Sequence, residues 1–368
     1  MKGDEVIEDG VIVIDGSRIA AVGRAGGDVQ IPADAHVVDA SGMTAIPGLV
    51  DAHAHMGYNG LDITPQRDWQ YDVNLAYGVT TTHDPSASTQ LVFSQSEMVE
   101  AGVMTGPRVF STGFILYGAD IPGKAPTNSY EDAVKHVQRL KTLGAWSVKS
   151  YMQPRREQRQ WIVKACRELE MMDFPEGGGN FEANMGMVLD GHTGIEHTMP
   201  PANLYDDVVQ FWSATEAGYT PTFLVSYGGL SGEHWFYQHD EPVWQNEKML
   251  RFHPRSNLIA RARRLPVYAY DDDWGHMLAA SSAKKLAEAG VRVNLGAHGQ
   301  LQGLGCHWDM WAFSQGGCSP HDVLRMGTIW PAGYLGLDGE IGSIEGGKLA
   351  DIALLGANPL TDIQNSDS

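Results

Sequence analysis

Alternating hydrophobic and polar residues mark the two ends of the chain. Residues 6–23 alternate and contain two Asp-Gly pairs, Asp9-Gly10 and Asp15-Gly16, where a tight hairpin turn needs a positive φ angle. A similar texture of short strands and turns returns only in residues 339–355. We therefore expect a small antiparallel sheet at the start of the chain, and we expect the two ends to pair in one satellite sheet.

Between the two ends, short β-rich runs alternate with stretches of helical periodicity. The helical spacing of apolar residues is clear in residues 132–143, 157–169 and 277–289. The eight candidate strands end near His55, Thr82, Thr112, Tyr151, Glu176, His197, Tyr227 and His298. This alternation predicts an α/β fold: a (β/α)8 TIM barrel with a small β-sandwich satellite built from both chain ends.

The predicted boundaries divide the chain into a barrel, residues 47–335, and a composite β-sandwich, residues 1–46 with 336–368. The regular spacing breaks between residues 228 and 288, where aromatic residues and histidine are frequent, as in Glu233-His-Trp-Phe-Tyr-Gln-His-Asp. A long insertion after a barrel strand usually covers the active face. We therefore predict a capping insertion near residues 228–288.

Composition and charge exclude several classes of protein. The 368 residues are 43% hydrophobic and 19% charged, which is typical of a globular chain, and no apolar run reaches the roughly 18 residues of a membrane span. Asp and Glu (45) outnumber Lys and Arg (26), and the net charge of -19 repels phosphate backbones. We expect a small-molecule substrate and no nucleic-acid or membrane partner, and a homo-oligomer is left open.

Cysteine usage and the chain start narrow the choice further. Three scattered cysteines are too few for a disulfide framework or a paired CxxC zinc site, so a metal would be held by histidines and carboxylates. No signal peptide is visible after Met1. This favours a cytoplasmic location, or a periplasmic one if the natural chain is longer.

The strongest chemical signal is the run Pro47-Gly-Leu-Val-Asp-Ala-His-Ala-His. On a strand, alternate side chains share a face, so Asp51, His53 and His55 are predicted to point to one side. Two imidazoles at the carboxyl end of a strand can approach one divalent ion, and neutral imidazole suits zinc. The alternative is a pair of solvated loop histidines.

Two further histidines end candidate strands. By the same alternation His197, at the end of Thr193-Gly-Ile-Glu-His, shares a face with Thr193 and Ile195, and His298 leans into the barrel mouth. Either could instead be a structural histidine.

Lys149 is unusual within the β-rich run Ala145-Trp-Ser-Val-Lys-Ser-Tyr. Burial of an ammonium group carries a large desolvation penalty unless the group is neutralised or paired. The residue is therefore either a reactive amine or a lysine whose head group reaches the solvent at the rim.

Three of these motifs together resemble the metal-dependent amidohydrolase superfamily. They are the run Pro47 to His55, the Ile195-Glu-His segment and the closing run Ile341-Gly-Ser-Ile-Glu-Gly-Gly-Lys-Leu-Ala-Asp-Ile. The resemblance spans nearly the whole chain and includes Leu75-Ala-Tyr-Gly-Val-Thr-Thr-Thr. The segments Gly-Ala-His-Gly-Gln and Asp-Gly-His-Thr-Gly-Ile-Glu-His are most similar to amidohydrolase modules that follow β-propeller regions in some bacterial proteins.

The resemblance implies one or two zinc ions, or another divalent transition metal, at the carboxyl face of the barrel. His53 and His55 would bind the first ion. Lys149, carboxylated by carbon dioxide, would bridge two metals, and His197 matches the histidine expected from strand six. All of these roles follow from the resemblance alone.

This sequence departs from the family pattern at two ligand positions. Glu176 stands where a strand-five histidine is expected, and a carboxylate can replace imidazole on zinc. His298 takes the place of the strand-eight aspartate, which in the family ligates metal and accepts the proton of the attacking water. His298 is therefore either a metal ligand or the catalytic base.

Other strand-end residues are candidates for substrate binding. They are Arg108, His83 and Tyr227, with Asp84 beside His83. Arg108 could bind a substrate carboxylate or form a structural salt bridge. Asp309 lies near a predicted helix start and is expected to be structural.

The sequence predicts a metal-dependent hydrolase of C–N bonds that uses metal-activated water on an amide, cyclic amide or small peptide-like substrate. A deaminase or a dipeptidase of the same superfamily is an alternative. A catalytically impaired metal-binding scaffold is another, because two ligand positions have changed.

Overall fold

A computed structural model describes residues 5–27, 29–57, 64–118, 126–200, 203–226, 229–240, 242–262 and 269–368. The strands of these residues are β1 (Gly10–Asp15), β2 (Arg18–Arg24), β3 (Thr44–Pro47), β4 (Leu49–Asp51), β5 (Val79–Asp84), β6 (Arg108–Ser111), β7 (Leu116–Tyr117), β8 (Ser147–Tyr151), β9 (Met172–Pro175), β10 (Gly194–Glu196), β11 (Gly218–Thr220) and β12 (Ile352–Leu355). The helices are α1 (Trp69–Ala76), α2 (Thr89–Glu100), α3 (Tyr130–Thr142), α4 (Arg156–Glu168), α5 (Phe181–Asp190), α6 (Asp206–Ser213), α7 (Gly232–His239), α8 (Glu247–Phe252), α9 (Arg255–Ala262), α10 (Gly275–Glu288), α11 (Leu304–Gln315), α12 (Pro320–Met326) and α13 (Ile329–Tyr334).

Parallel strands alternate with helices through the middle of the chain, which confirms the α/β prediction. Three parallel ladders form, in the orders β4-β5-β6, β7-β8-β9 and β10-β11. Single backbone hydrogen bonds connect neighbouring ladders, from Trp146 N to Ser111 O (2.9 Å) and from Thr193 N to Asp173 O (3.0 Å). Within the described residues the strands form separate ladders rather than one continuous closed ladder.

The last parallel segment returns to the first. It is reduced to a single parallel bridge between Val293 and Tyr219 of β11. Beyond it, Ala52 N donates to Leu295 O (3.0 Å), so the backbone after β4 contacts the backbone after Val293. This contact brings residues from both ends of the parallel region to one place.

Two predicted strand ends need correction. The first strand, expected to reach His55, ends at Asp51, and the seventh, expected to end near Tyr227, ends at Thr220. Tyr227 lies outside the described residues. The residues after these two strands, Ala-His-Ala-His after Asp51 and Pro-Thr-Phe-Leu-Val after Thr220, have the composition of a strand. The backbone nevertheless leaves the strand conformation there.

The predicted helical stretches are confirmed as α3, α4 and α10. Helix α3 is capped at its start by Ser129, whose side chain accepts a hydrogen bond from Asp132 N (3.1 Å). Its buried positions, Ala133, Val137 and Leu140, follow the helical period and face the neighbouring helix and sheet.

The two chain ends contact each other, but within the described residues they do not form the one satellite sheet that the sequence predicted. Strands β1 and β2 form an antiparallel hairpin, and β3 pairs with β12 in antiparallel orientation. Ile19 N also donates to Lys348 O (2.8 Å), which joins the hairpin to the C-terminal region. The described strands of these ends form two two-stranded sheets.

The large hydrophobic core lies between the parallel segments and the later helices. Its largest fully buried side chains include Trp212 and Trp308. Helix α7 of the predicted insertion packs on this core, since Phe236 stacks on Trp308 with ring centroids 5.3 Å apart. No helix among the described residues is both long and apolar enough to cross a membrane.

Candidate metal centre and its pocket

Three histidines converge where the first and last parallel segments meet. His53 and His55 follow β4, and His298 lies beside them because its backbone N–H donates to His53 O (2.7 Å). One nitrogen of each ring lies within 4.8 Å of the others, and the ring centroids of His55 and His298 are 4.5 Å apart. We call His53, His55 and His298 the histidine cluster.

Two carboxylates orient the rings of His53 and His55. The Nδ1 atom of His53 is hydrogen-bonded to Glu196, and His55 Nδ1 lies 3.3 Å from Asp84 Oδ1. When each Nδ1 donates to its carboxylate, the lone pair of each ring is on Nε2. The two Nε2 atoms lie 3.2 Å apart, so two lone pairs face each other.

This spacing fits a shared cation. Two imidazole nitrogens that both bind one tetrahedral zinc ion at about 2.0 to 2.1 Å lie about 3.3 Å apart. His298 also has a buried Nδ1 atom with no hydrogen-bond partner among the described residues. The donor set therefore fits a zinc-like ion.

Burial favours the uncharged form of two members of the cluster, His53 and His298. Desolvation, together with Lys149 and the neighbouring histidines, holds the pKa of His53 well below its ordinary value. Desolvation and the nearby rings of His55 and His197 lower the pKa of His298 to about 2. Metal binding requires unprotonated imidazole, so this environment favours ligation.

A second group of side chains lies beside the cluster. Lys149 Nζ is 2.6 Å from Glu176 Oε2, and His197 Nε2 is 3.0 Å from Glu176 Oε1. We call Lys149, Glu176 and His197 the lysine group. Burial raises the pKa of Glu176, but Lys149 and His197 outweigh it, so the net shift is downward. The ring of His197 is 4.8 Å from that of His53, so the two groups are adjacent.

Positive φ angles place both late histidines in the site. His197 has a φ of 73° and His298 a φ of 59°, values that non-glycine residues rarely adopt. Thr222, whose hydroxyl oxygen lies 2.7 Å from His197 Nδ1, also has a positive φ of 49°. Such strain is concentrated at functional sites. Gly299 has a φ of 66°, and a Cβ there would lie 2.1 Å from His55 O.

Strand alternation predicted the wrong orientation for His197 and Asp51. The alternation does not apply there because β10 ends at Glu196 and β4 ends at Asp51. Ile195 belongs to the hydrophobic core, whereas the adjacent Glu196 and His197 both reach the histidine cluster. Asp51 accepts hydrogen bonds from the backbone N of His53 (3.0 Å) and Ala297 (3.2 Å) and contacts Cys306. Alternation predicted that Asp51 and His53 point to the same side, and the structure shows that they do not.

The end of β5 contributes Asp84 rather than His83. His83 is buried, with Nδ1 3.1 Å from Ala52 O and Nε2 2.7 Å from Ser147 Oγ. Both of its ring nitrogens are therefore engaged by groups in the protein interior, and the substrate-binding role predicted for His83 is not supported. Asp84 instead accepts from Met56 N (3.0 Å) and contacts His55.

Arg108 and Asp309 both have structural partners. Arg108 begins β6, at the end of the strand opposite the cluster, and forms a salt bridge with Asp351, which is the structural alternative. Asp309 accepts from the backbone N of Phe223 (2.9 Å) and Gly296 (3.1 Å), consistent with its expected structural role. Arg108 is therefore not placed to bind substrate.

Sequence reasoning missed Glu196 and Tyr334. Glu196 is buried, orients His53 and accepts a hydrogen bond from the Tyr334 hydroxyl (3.0 Å). Burial raises the pKa of Glu196 to about 8, so its charge needs a nearby cation for stability. The available signal was an acidic residue directly before His197.

An open cavity of about 370 Å³ adjoins the histidine cluster. Helix α9, which lies within the insertion predicted at residues 228–288, forms one wall. Its lining residues are His55, Gly57, Trp69, Gln70, His253, Asn257, Ala260, Arg261, Gly299 and Gln302. Gln302 Nε2 donates to His55 O (2.8 Å) and to Gln70 Oε1 (3.2 Å), which fixes the loop after β4 against α1.

Residues 190–368 match the model of the amidohydrolase family. The chain is 42% identical to imidazolonepropionase of Streptomyces avermitilis over 55 residues, an alignment that covers 15% of this chain and 13% of that relative. It is 24% identical to imidazolonepropionase of a Geobacillus species over 95% of this chain and 84% of the relative. A solved Xaa-Pro dipeptidase with methionine bound in its active site has a TM-score of 0.74 and 20% identity, covering 100% of this chain and 94% of that one.

Proposed function

We propose that the chain is a member of the amidohydrolase superfamily and a metal-dependent hydrolase of C–N bonds in an amide, cyclic amide or small peptide-like substrate. The observation that carries the proposal is the pair of Nε2 atoms of His53 and His55, 3.2 Å apart, with carboxylates behind both rings. That arrangement is a ligand set for a divalent cation beside an open cavity. The relation to modules that follow β-propeller regions stays a prediction.

We further propose a complete (β/α)8 barrel at residues 47–335 and a composite β-sandwich from residues 1–46 and 336–368. The backbone contact from Ala52 to Leu295 and the bonds between successive parallel ladders support the barrel. The structural likeness to the Xaa-Pro dipeptidase supports it further. The pairing of β3 with β12 supports a satellite made from both ends.

In the proposed site, His53, His55 and His298 hold a first ion, with zinc as the expected metal. When bound, such an ion is a Lewis acid that activates water and polarises a carbonyl group. Glu196 and Asp84 keep the rings of His53 and His55 oriented, a role that outer carboxylates serve at zinc sites. His298 fits a ligand role better than a base role, because its buried ring takes up a proton poorly.

The lysine group would hold a second ion, once Lys149 is carboxylated and no longer donates to Glu176. Thr222 fixes the ring of His197 through Nδ1, which leaves its Nε2 atom directed at Glu176. Burial of Lys149, with a side chain 1% exposed, protects this group from bulk water. A one-metal site built on the histidine cluster alone is the simpler arrangement.

Metal analysis combined with a hydrolysis screen tests the proposal. We expect bound metal, turnover of at least one class among amides, lactams and dipeptides, and loss of turnover on chelation with recovery on adding zinc. Bound metal without turnover across the screen would favour the impaired scaffold. Ammonia release from an amino-substituted heterocycle would indicate a deaminase instead.

A further inference from the structure

The cavity beside the histidine cluster has an unusual charge for this protein. The chain carries 45 acidic residues and a net charge of -19, yet none of the ten lining residues is Asp or Glu. Arg261 contributes a guanidinium group to the cavity lining. Among the described residues, a cavity wall that carries a guanidinium and no carboxylate is suited to an anionic ligand.

Helix α9 presents this cation to the cavity. Asn257, Ala260 and Arg261 are spaced three and four residues apart, so they share one face of the helix, and all three line the cavity. Ala260 is small and leaves room beside the guanidinium. The Asn257 amide adds a polar group one turn before it.

Arg261 lies next to the histidine cluster, and several of its N–H groups make no hydrogen bond within the described residues. Its guanidinium is 3.5 Å from Gly299 O, and Gly299 directly follows His298. Its other contact is with the buried Glu233, at 3.3 Å. Both contacts are long, each uses one terminal nitrogen, and the side chain is 23% exposed. A guanidinium has five N–H donors and binds carboxylates in bidentate fashion.

Resting on the function proposed above, we infer that the substrate carries a free carboxylate close to the scissile C–N bond, as in an N-acyl amino acid or a dipeptide, and that Arg261 binds it. The proximity of Arg261 to His298 places the carboxylate a short distance from the reacting carbonyl. Trp69, whose ring lies 4.4 Å from that of His253, provides an aromatic wall for the side chain of the substrate.

Matched substrates test the inference. N-acetyl-L-amino acids with alanine, methionine or phenylalanine side chains are compared with the corresponding N-acetyl-L-amino acid amides, and acetate release is measured. For Arg261→Gln we expect kcat/KM on the acids to fall about 10- to 100-fold, mainly through KM, with the amides unchanged. Arg261→Lys should retain part of the preference. Arg255→Gln, an exposed position on the same helix outside the cavity lining, is the control.

The results separate this inference from the proposed function. If the acids and the neutral amides lose activity equally in Arg261→Gln, or if the acids are unaffected, Arg261 does not bind a substrate carboxylate. If the natural protein cleaves none of these compounds, calorimetric binding of the same acid and amide pairs in the presence of chelator decides the question. Preferential binding of the acids, lost in Arg261→Gln, supports the inference, and equal binding of acid and amide by the natural protein overturns it.

Discussion

Lys149 Nζ lies 2.6 Å from Glu176 Oε2, and both side chains are almost completely buried. A buried ion pair is costly to desolvate and is retained at functional sites more readily than in ordinary cores. Here the pair adjoins His197 and the histidine cluster, so the amine lies beside the proposed metal ligands.

The role of Lys149 is tested by Lys149→Ala. We expect loss of one bound metal per chain, because the variant lacks the proposed bridging ligand, and partial rescue by short carboxylic acids that can occupy the vacated space. Metal content by mass spectrometry and activity with added propionate are the measurements. Unchanged metal content would count against the ligand role of Lys149 without affecting the histidine cluster.

Glu196 is predicted to position His53. Glu196→Gln keeps the size of the side chain but weakens the acceptor of the His53 Nδ1 proton, so zinc affinity should fall about 10- to 100-fold. Competition with a chromophoric chelator measures this affinity. Glu216→Gln, at an exposed position, is the matched control. Equal zinc affinity in the two variants would show that the hydrogen bond to His53 has no influence on the metal.

His298 and His83 should respond differently to substitution. His298→Ala removes a member of the cluster, so bound metal and activity should both be lost while the fold persists. His83→Ala leaves Ser147 and Ala52 without their partner, so it should lower the free energy of unfolding by about 1–3 kcal/mol and keep the metal. Metal content and chemical denaturation distinguish the two. Full metal occupancy in His298→Ala would remove His298 from the ligand set.

An ion pair far from the site predicts a pH dependence of stability. Asp190 receives hydrogen bonds from Arg156 (2.6 Å) and Gln160 (2.9 Å). Burial raises the pKa of Asp190, but these bonds outweigh it, and the pKa in the folded state lies below its ordinary value. A depressed folded pKa contributes stability above the unfolded pKa that is lost as pH falls through the folded value.

Asp190→Asn should therefore lower the free energy of unfolding by about 1 kcal/mol at neutral pH, because half of the Arg156 side chain is exposed to solvent. The difference from the natural protein should shrink as the pH falls below about 3.9, the ordinary pKa of an aspartic acid side chain. Urea denaturation over this range is the measurement. A difference that stays constant with pH would mean that the carboxylate charge is not its source.

The sequence predicted those parts of the molecule that depend on local pattern. Helices α3, α4 and α10 follow from apolar spacing, and the His53 and His55 pair follows from a short motif at the end of a strand. These features are visible because each is encoded within a few neighbouring residues.

Features that depend on distant residues were not predictable. The bond between His53 and Glu196 joins residues 143 positions apart, and the acidic residue before His197 does not by itself identify His53 as its partner. His83 and Asp84 are neighbours at the end of β5. The contact of His83 with Ser147 on β8 shows that His83 is the one held in the interior, and this contact is not visible in the local sequence. At His197 and His298 the left-handed backbone breaks the alternation on which the face assignment depended.

The hydrogen bond from His298 N to His53 O joins main-chain segments that lie 245 positions apart, near the beginning and the end of the parallel region. A chain growing from its N-terminus therefore cannot present all three imidazoles until nearly the whole parallel region has been synthesised and has closed on itself. Uptake of the proposed metal ion should accordingly be a late event in folding, and a truncated or nicked chain that separates these two segments should not bind it.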